Sequence, residues 1–129
     1  MTDPLAAWHA FVESRDLAVL DRLVAEDAVF ESPVVHTPQA GKARVTMYLA
    51  GAAQVLGNDS FRYLGEWRAE RSAVLEFACA LDGTVVNGVD MIWWNEAGRI
   101  TRFKVMLRPI RGMQEAARRM AALLEQVDR

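Results

Sequence analysis

Hydrophobic residues recur at helical spacing in four segments of the chain. The first spans residues 4–14 and follows Asp3, which has the character of a helix cap, while a shorter segment follows a second cap residue, Asp16. Two longer segments span residues 42–56 and 112–127. The pattern predicts a helical hairpin at the N-terminus, a third helix and a final amphipathic helix.

Runs rich in β-branched and aromatic residues predict five strands. The first covers residues 28–35 and stops in a proline-bearing loop at 37–41. The other four are joined by short turns and cover residues 61–68, 73–81, 84–94 and 99–108. Short turns connect antiparallel neighbours, so an antiparallel meander is the simplest topology. The separation of helices from strands predicts an α+β fold, which we assign to one domain over residues 1–129.

Side chains alternate between the two faces of a strand, and this alternation indicates which face is buried. Glu76 marks the outer face of its strand, and Arg102 and Lys104 mark the outer face of the last strand. The predicted inner face is aromatic and aliphatic, and it includes Leu75, Phe77, Ile92, Trp94, Phe103, Val105 and Leu107. The strand 84–94 is apolar on both faces, so we expect helices to cover one face and a second copy of the chain, in a homodimer, to cover the other.

Composition and charge exclude several classes of function. The chain has 129 residues, 52% of them hydrophobic, and a net charge of -2, which gives no reason to expect a nucleic acid partner. Its apolar runs are too short to span a membrane and its N-terminus lacks the features of a signal peptide, so we expect a cytoplasmic protein. One cysteine and two histidines exclude an internal disulfide and a Cys/His zinc site. Without a glycine-rich phosphate loop or clustered metal ligands, we expect no cofactor.

Asp90 is the first candidate for chemistry, because it interrupts two apolar β runs. A carboxylate inside a buried strand must be hydrogen-bonded, neutralised by a raised pKa or kept for chemistry in a cavity. We therefore expect a pocket around Asp90. The residues alone leave open a purely structural carboxyl that is hydrogen-bonded to the Trp8 N–H or to water.

The order of elements and the local sequence resemble the nuclear transport factor 2-like superfamily, and in particular its SnoaL-like and ketosteroid isomerase-like members. The resemblance runs almost end to end, through Asp16-Leu17, Ala28 to Val34, Ala40-Gly41-Lys42 and Val89 to Ile100. It implies a cone-shaped fold in which a curved antiparallel sheet wraps around the N-terminal helices, with a C-terminal helix. It also implies a pocket for a small apolar, cyclic molecule that bears a carbonyl or hydroxyl group.

The resemblance also implies roles for Asp90 and Trp8, and it implies that the general base of the family is missing at Ser32. In the isomerases of the superfamily, a protonated aspartate at the position of Asp90 donates a hydrogen bond to a developing enolate. The second donor of the family, a tyrosine on the first helix, falls at Trp8, which keeps an N–H. The general-base aspartate is replaced by Ser32, whose hydroxyl cannot abstract a carbon-bound proton unaided, and His36 in the following loop is a candidate base.

Three functions stay open on this resemblance: an isomerase or lyase, a binding module without a reaction, and a structural dimer with a collapsed core. Epoxide hydrolases of the superfamily carry an arginine two residues before the strand aspartate, where this chain has Gly88, so that reaction is disfavoured. The candidate catalytic residues are Asp90, Trp8 and His36. The candidate ligand-binding residues are Phe11, Phe30, Ser32, Val34, Tyr48, Phe77, Ile92, Trp94, Phe103 and Val105.

Overall fold

The computed structural model describes residues 3–127, so residues 1–2 and 128–129 of the predicted domain lie outside the described residues. The described chain forms four helices and six strands, one strand more than predicted, in the predicted α+β arrangement. In chain order they are α1 (Pro4–Ser14), α2 (Leu17–Leu23), β1 (Val24–Glu31), β2 (Gln39–Ala40), α3 (Lys42–Leu56), β3 (Arg62–Arg68), β4 (Ser72–Leu81), β5 (Thr84–Trp94), β6 (Ile100–Arg108) and α4 (Ile110–Val127).

Side-chain caps determine where the first two helices begin. The Asp3 carboxylate accepts a hydrogen bond from the backbone N–H of Leu5 at 3.2 Å. The Asp16 carboxylate accepts one from Ala18 at 2.9 Å. Each contact satisfies an N–H that the first turn of a helix leaves without a partner, so both predicted caps are confirmed.

The six strands form one curved sheet in the order β2-β1-β6-β5-β4-β3. Strands β3 to β6 are the predicted antiparallel meander. Strand β1 departs from the antiparallel expectation, because it runs parallel to β6. Their pairing joins residues about 70 positions apart, such as Phe30 with Phe103. Short turns predict pairing only between strands that follow one another in the chain, so they could not predict this contact.

The first strand also differs from its predicted range of 28–35. It begins at Val24, directly after α2, and ends at Glu31. It ends there because Pro33 lacks a backbone N–H for strand pairing and because Ser32 folds back into a turn, in which its hydroxyl accepts the N–H groups of Val34 and Val35. The loop predicted at 37–41 contains the short strand β2, which pairs with β1.

The core lies between the inner face of the sheet and helices α1, α2 and α3. Its largest side chains are fully buried and include Leu5, Phe11, Leu20, Leu49, Phe77, Ile92 and Phe103. The predicted inner faces of β4, β5 and β6 are confirmed by their alternating burial. Among residues 3–127, no helix has the length and apolar character needed to cross a membrane.

The outer face of the sheet carries exposed apolar side chains. Trp67, Val85 and Met106 are each more than half exposed. Charged residues such as Lys104 lie among them on the same face. The homodimer through this face stays a prediction.

Candidate functional site

A cavity of about 50 Å³ lies between helices α1 and α3 and the inner face of the sheet, with Asp90 in its wall. Three of the predicted ligand-binding residues line it, Phe77, Phe103 and Val105, and so does Trp8. The sequence argument did not identify the other lining residues, which are Val12, Leu49, Ala52, Ala53, Leu56, Gly57, Phe61 and Tyr63. The lining is apolar apart from Asp90 and the polar groups of Trp8 and Tyr63, which is the chemistry of a site for an apolar group with one polar atom, but the volume is well below the roughly 300–1,000 Å³ of ligand pockets.

Asp90 is 6% exposed and is hydrogen-bonded to Tyr63, whose hydroxyl donates to Oδ2 at 3.0 Å. The Trp8 indole is not hydrogen-bonded to Asp90, so the direct contact that the sequence left open does not form. It donates from Nε1 to the Tyr63 hydroxyl at 2.9 Å instead. The three side chains therefore form a hydrogen-bond chain from α1 through β3 to β5.

The sheet register brings Tyr63 and Asp90 together. Tyr63 pairs with Phe77 on β4, and Asp90 pairs with Leu75 on the same strand, so the two side chains meet above β4 on the inner face. Alternation along β3 places Tyr63 on the same face as Phe61, and this was the signal that could have identified it.

Burial raises the pKa of Asp90 from its ordinary 3.8 to about 7, and the hydrogen bond from Tyr63 lowers it in part. Both the protonated and the ionised form of the carboxyl are therefore accessible near neutral pH. The pKa of Tyr63 is raised by burial and by the negative charge of Asp90, so its hydroxyl keeps its hydrogen. Asp90 lines the cavity, and its Oδ1 has no hydrogen-bond partner among residues 3–127, so Oδ1 is the carboxyl oxygen left free to bind a group in the cavity.

The other predicted ligand-binding residues do not line the Asp90 cavity. A second cavity of about 70 Å³ is lined by Phe30, Ser32, Val34 and Tyr48, together with Val105. The two cavities are neighbours, and the walls they share are formed by Ala52, Leu56 and Val105. Phe11 lines a surface pocket between α1, α3 and α4, and Ile92 and Trp94 line neither cavity.

The structure does not bring His36, the candidate base, or Ser32, which stands in place of the family's general base, into the Asp90 cavity. The Ser32 hydroxyl accepts backbone N–H groups from Val34 at 3.0 Å and from Val35 at 3.3 Å. His36 is exposed in the loop after β1 and lines neither cavity. Both residues belong to the loop that closes β1.

Gly88 occupies the position that corresponds to arginine in the epoxide hydrolases. A Cβ atom at this residue would lie 2.6 Å from Leu107 Cδ2, 2.6 Å from the Met106 backbone oxygen and 2.7 Å from Phe77 Cζ. Because one of these atoms belongs to the backbone of β6, the sheet itself must shift to admit a side chain. The position is therefore closed to arginine by packing.

We expect Gly88→Ala to lower the free energy of unfolding by about 1–3 kcal/mol, the usual cost of overpacking. Urea unfolding measures the effect. The matched control is Gly65→Ala on β3, where the added Cβ meets the end of the exposed Trp67 side chain, which can turn away. Equal stability of the two variants would contradict the packing argument.

The chain is similar to known proteins both in sequence and in structure. The SnoaL-like domain family matches residues 5–103. The comparison with curated proteins found no match. A solved steroid delta-isomerase from Pseudomonas aeruginosa superimposes with a TM-score of 0.90 at 39% identity, covering 96% of this chain and 90% of that chain.

Two further solved structures share the fold. An uncharacterised protein from Silicibacter pomeroyi DSS-3, conserved in bacteria and described with a cystatin-like fold, has a TM-score of 0.87 at 29% identity, and covers 97% of this chain and 87% of that chain. An NTF2-like protein of unknown function from Mesorhizobium loti has a TM-score of 0.70 at 20% identity, covering 82% and 88%.

Proposed function

Because this chain belongs to the SnoaL-like family of the nuclear transport factor 2-like superfamily, we propose that it binds a small apolar, cyclic molecule bearing a carbonyl or hydroxyl oxygen. The family match agrees with the resemblance drawn from the sequence. One observation carries the proposal: Asp90 is the single carboxyl in the wall of a cavity that is otherwise apolar except for the Trp8 N–H and the Tyr63 hydroxyl. The rings of the ligand contact the apolar walls, and its oxygen accepts a hydrogen bond from Asp90.

The chemistry of Asp90 fits the role of an acid. A pKa of about 7 makes the protonated form of the carboxyl accessible near neutral pH. In an apolar site, a protonated carboxyl stabilises an oxygen on which negative charge develops. Such charge develops on an enolate-like oxygen in isomerase and lyase reactions, and the similarity to a steroid delta-isomerase supports this reaction class.

A binding module without turnover is the second candidate, and the position of Ser32 favours it. Isomerisation needs a base to remove a proton from carbon, and Ser32 stands in place of that base with its hydroxyl engaged in a turn. Of the residues that line the Asp90 cavity, only Asp90 and Tyr63 ionise, and Tyr63 stays protonated. Proton abstraction would then fall to the ionised form of Asp90.

Titration with 4-nitrophenol tests the binding proposal, since its anion is a planar mimic of an enolate. We expect the wild type to bind the phenolate at pH 7, and Asp90→Ala to weaken this binding by about 10–100-fold, the value of a hydrogen bond to a charged group. Isothermal titration calorimetry gives the affinities. The control is Asp27→Ala, which removes an exposed carboxylate on β1 and should change the affinity less than twofold.

Turnover separates the two candidate functions. A cyclic β,γ-unsaturated ketone that isomerises to its conjugated form gives an absorbance signal. Turnover that is lost in Asp90→Ala would support the isomerase, whereas phenolate binding without turnover would favour the binding module. A wild type that neither binds the phenolate nor converts the ketone would contradict the proposal.

A further inference from the structure

The hydrogen-bond chain from Trp8 through Tyr63 to Asp90 has a fixed direction. An indole N–H only donates, so the Tyr63 hydroxyl oxygen accepts at its contact with Trp8. A hydroxyl carries one hydrogen, and the second contact of Tyr63 is with Asp90 Oδ2. Tyr63 therefore donates to Oδ2, which must act as an acceptor.

We propose that Trp8 and Tyr63 are positioning residues that place the Asp90 proton on Oδ1, the oxygen left free to bind a group in the cavity. In a protonated carboxyl, the carbonyl oxygen is the better acceptor, so the oxygen that accepts from Tyr63 is the one without the proton. The inference rests on the proposed function, in which Asp90 donates to the oxygen of the ligand. It adds which atom donates and which side chains hold the proton there.

Packing holds the two donors in place. Trp8 is 5% exposed, and the centroid of its ring lies 4.8 Å from the centroid of the Phe103 ring. The Tyr63 ring is packed edge-on against Phe61 at 5.1 Å and against Phe77 at 6.3 Å. Neither donor can turn away without displacing a buried aromatic ring, so the direction of the chain is set by the fold.

Ionisable residues near the hydrogen-bond chain line a surface pocket that includes Tyr63, and they are His9, Glu13, Arg15 and Arg62. On α1, the His9 ring lies edge-on to Tyr63 at 5.1 Å, and its Nε2 is 3.2 Å from Glu66 Oε1 on β3. Among the cavity-lining residues contributed by α1, α3, β4 and β6, none carries a charge. Asp90 therefore responds chiefly to burial and to its bond with Tyr63.

Trp8→Phe removes the N–H that fixes this direction. The Tyr63 hydroxyl is then free to accept from a proton on Oδ2, which stabilises the protonated carboxyl and withdraws the proton from the cavity. We expect the pKa of Asp90 to rise by about one pH unit, while the affinity for 4-nitrophenolate at pH 7 falls about tenfold. If the extent of protonation alone governed binding, a higher pKa would strengthen it instead.

The pKa is measured without any ligand, from the carboxyl carbon resonance of ¹³C-labelled aspartate, assigned by its loss in Asp90→Asn. Tyr63→Phe keeps the ring but removes the hydroxyl, and it should also raise the pKa of Asp90 and weaken phenolate binding. The matched controls are Trp67→Phe, at an exposed tryptophan, and Tyr48→Phe, at a tyrosine that stacks on Phe30. Both should leave the pKa of Asp90 unchanged.

The outcomes separate this inference from the proposed function. An unchanged pKa of Asp90 in Trp8→Phe, or tighter phenolate binding in that variant, would overturn the positioning role. Failure of the wild type to bind 4-nitrophenolate would contradict the proposed function. In that event, the pKa comparison between the wild type and Trp8→Phe decides the positioning role by itself.

Discussion

Replacing Asp90 with asparagine is expected to stabilise the protein by about 4 kcal/mol at pH 8 and to leave its stability at pH 4 nearly unchanged. Asparagine has nearly the same shape and still accepts the hydrogen bond from Tyr63, but it carries no charge to bury. The magnitude follows from the rise in the pKa of Asp90 from 3.8 to about 7, at about 1.4 kcal/mol for each pH unit.

The sign follows from where the proton is bound. Below about pH 3, the carboxyl is protonated in both the folded and the unfolded protein. Between about pH 3 and pH 7, the folded protein keeps a proton that the unfolded chain has released, so the stability of the wild type falls as the pH rises. Above pH 7 this loss is complete, and only the wild type suffers it.

Urea unfolding of both proteins at pH 4, 5.5 and 8 measures this effect. Arginine partners lower the pKa values of four other carboxyl groups, those of Asp3, Glu31, Glu66 and Glu115. These groups change the stability of both proteins equally, so their effect cancels in the difference between the two proteins. Asp27→Asn, at an exposed carboxylate, serves as the control. If the free energies of unfolding of the wild type and Asp90→Asn changed with pH in the same way, the folded protein would not bury an ionised Asp90, and the prediction would be wrong.

Phe103→Ala is expected to lower the free energy of unfolding by about 3–5 kcal/mol, the usual cost of removing a buried phenylalanine ring. Phe103 is 1% exposed, and its ring lies 4.8 Å from Trp8 and 6.2 Å from Phe30. It also forms part of the wall of the Asp90 cavity, so its loss enlarges that cavity. Water admitted there would solvate the carboxylate, and the pKa of Asp90 should fall towards 3.8.

Two measurements check this prediction. Urea unfolding at pH 7 gives the stability, with Met106→Ala as the control on the same strand, because Met106 is 51% exposed and its loss should cost about 0.5 kcal/mol or less. The aspartate carboxyl resonance gives the pKa. A destabilised variant with an unchanged pKa of Asp90 would mean that Phe103 supports the core without keeping water from the carboxyl.

The parts of the fold that local chemistry determines were predictable from the sequence. Asp3 and Asp16 cap their helices because a carboxylate satisfies a free N–H two residues ahead. The range of α3, 42–56, and the burial of Asp90 on β5 follow from periodicity and alternation. Each of these features depends on residues within one or two turns or along one strand.

The features that depend on distant contacts were not predictable. Neither the sequence of β1 nor that of β6 indicates that the two strands pair in parallel. On β3, a bulge between Tyr63 and Gly65 reverses the alternation, so Gly65 and Trp67 pair with the outward-facing Glu76 and Val74. The contact of Tyr63 with Asp90 depends on the register of three strands, which one sequence does not specify.

The division of the predicted pocket into two cavities was not predictable either, because it also depends on distant contacts. Phe30, Ser32 and Tyr48 face the space beneath α4, whereas Phe77 and Phe103 face Asp90. All are inward-facing or close to the sheet, so their pattern along the chain is the same. Only the position of α3 across the sheet, with Ala52 and Leu56 between the cavities, separates them.

The packing around Gly88 narrows the evolutionary routes open to this lineage. To acquire an arginine at position 88, a descendant would first need smaller side chains in place of Phe77 and Leu107, and the new side chain would still meet the Met106 carbonyl on β6. A single substitution to arginine is therefore expected to destabilise the sheet. An arginine at this position requires that several neighbours change first, so that the packing around residue 88 already has room for the side chain.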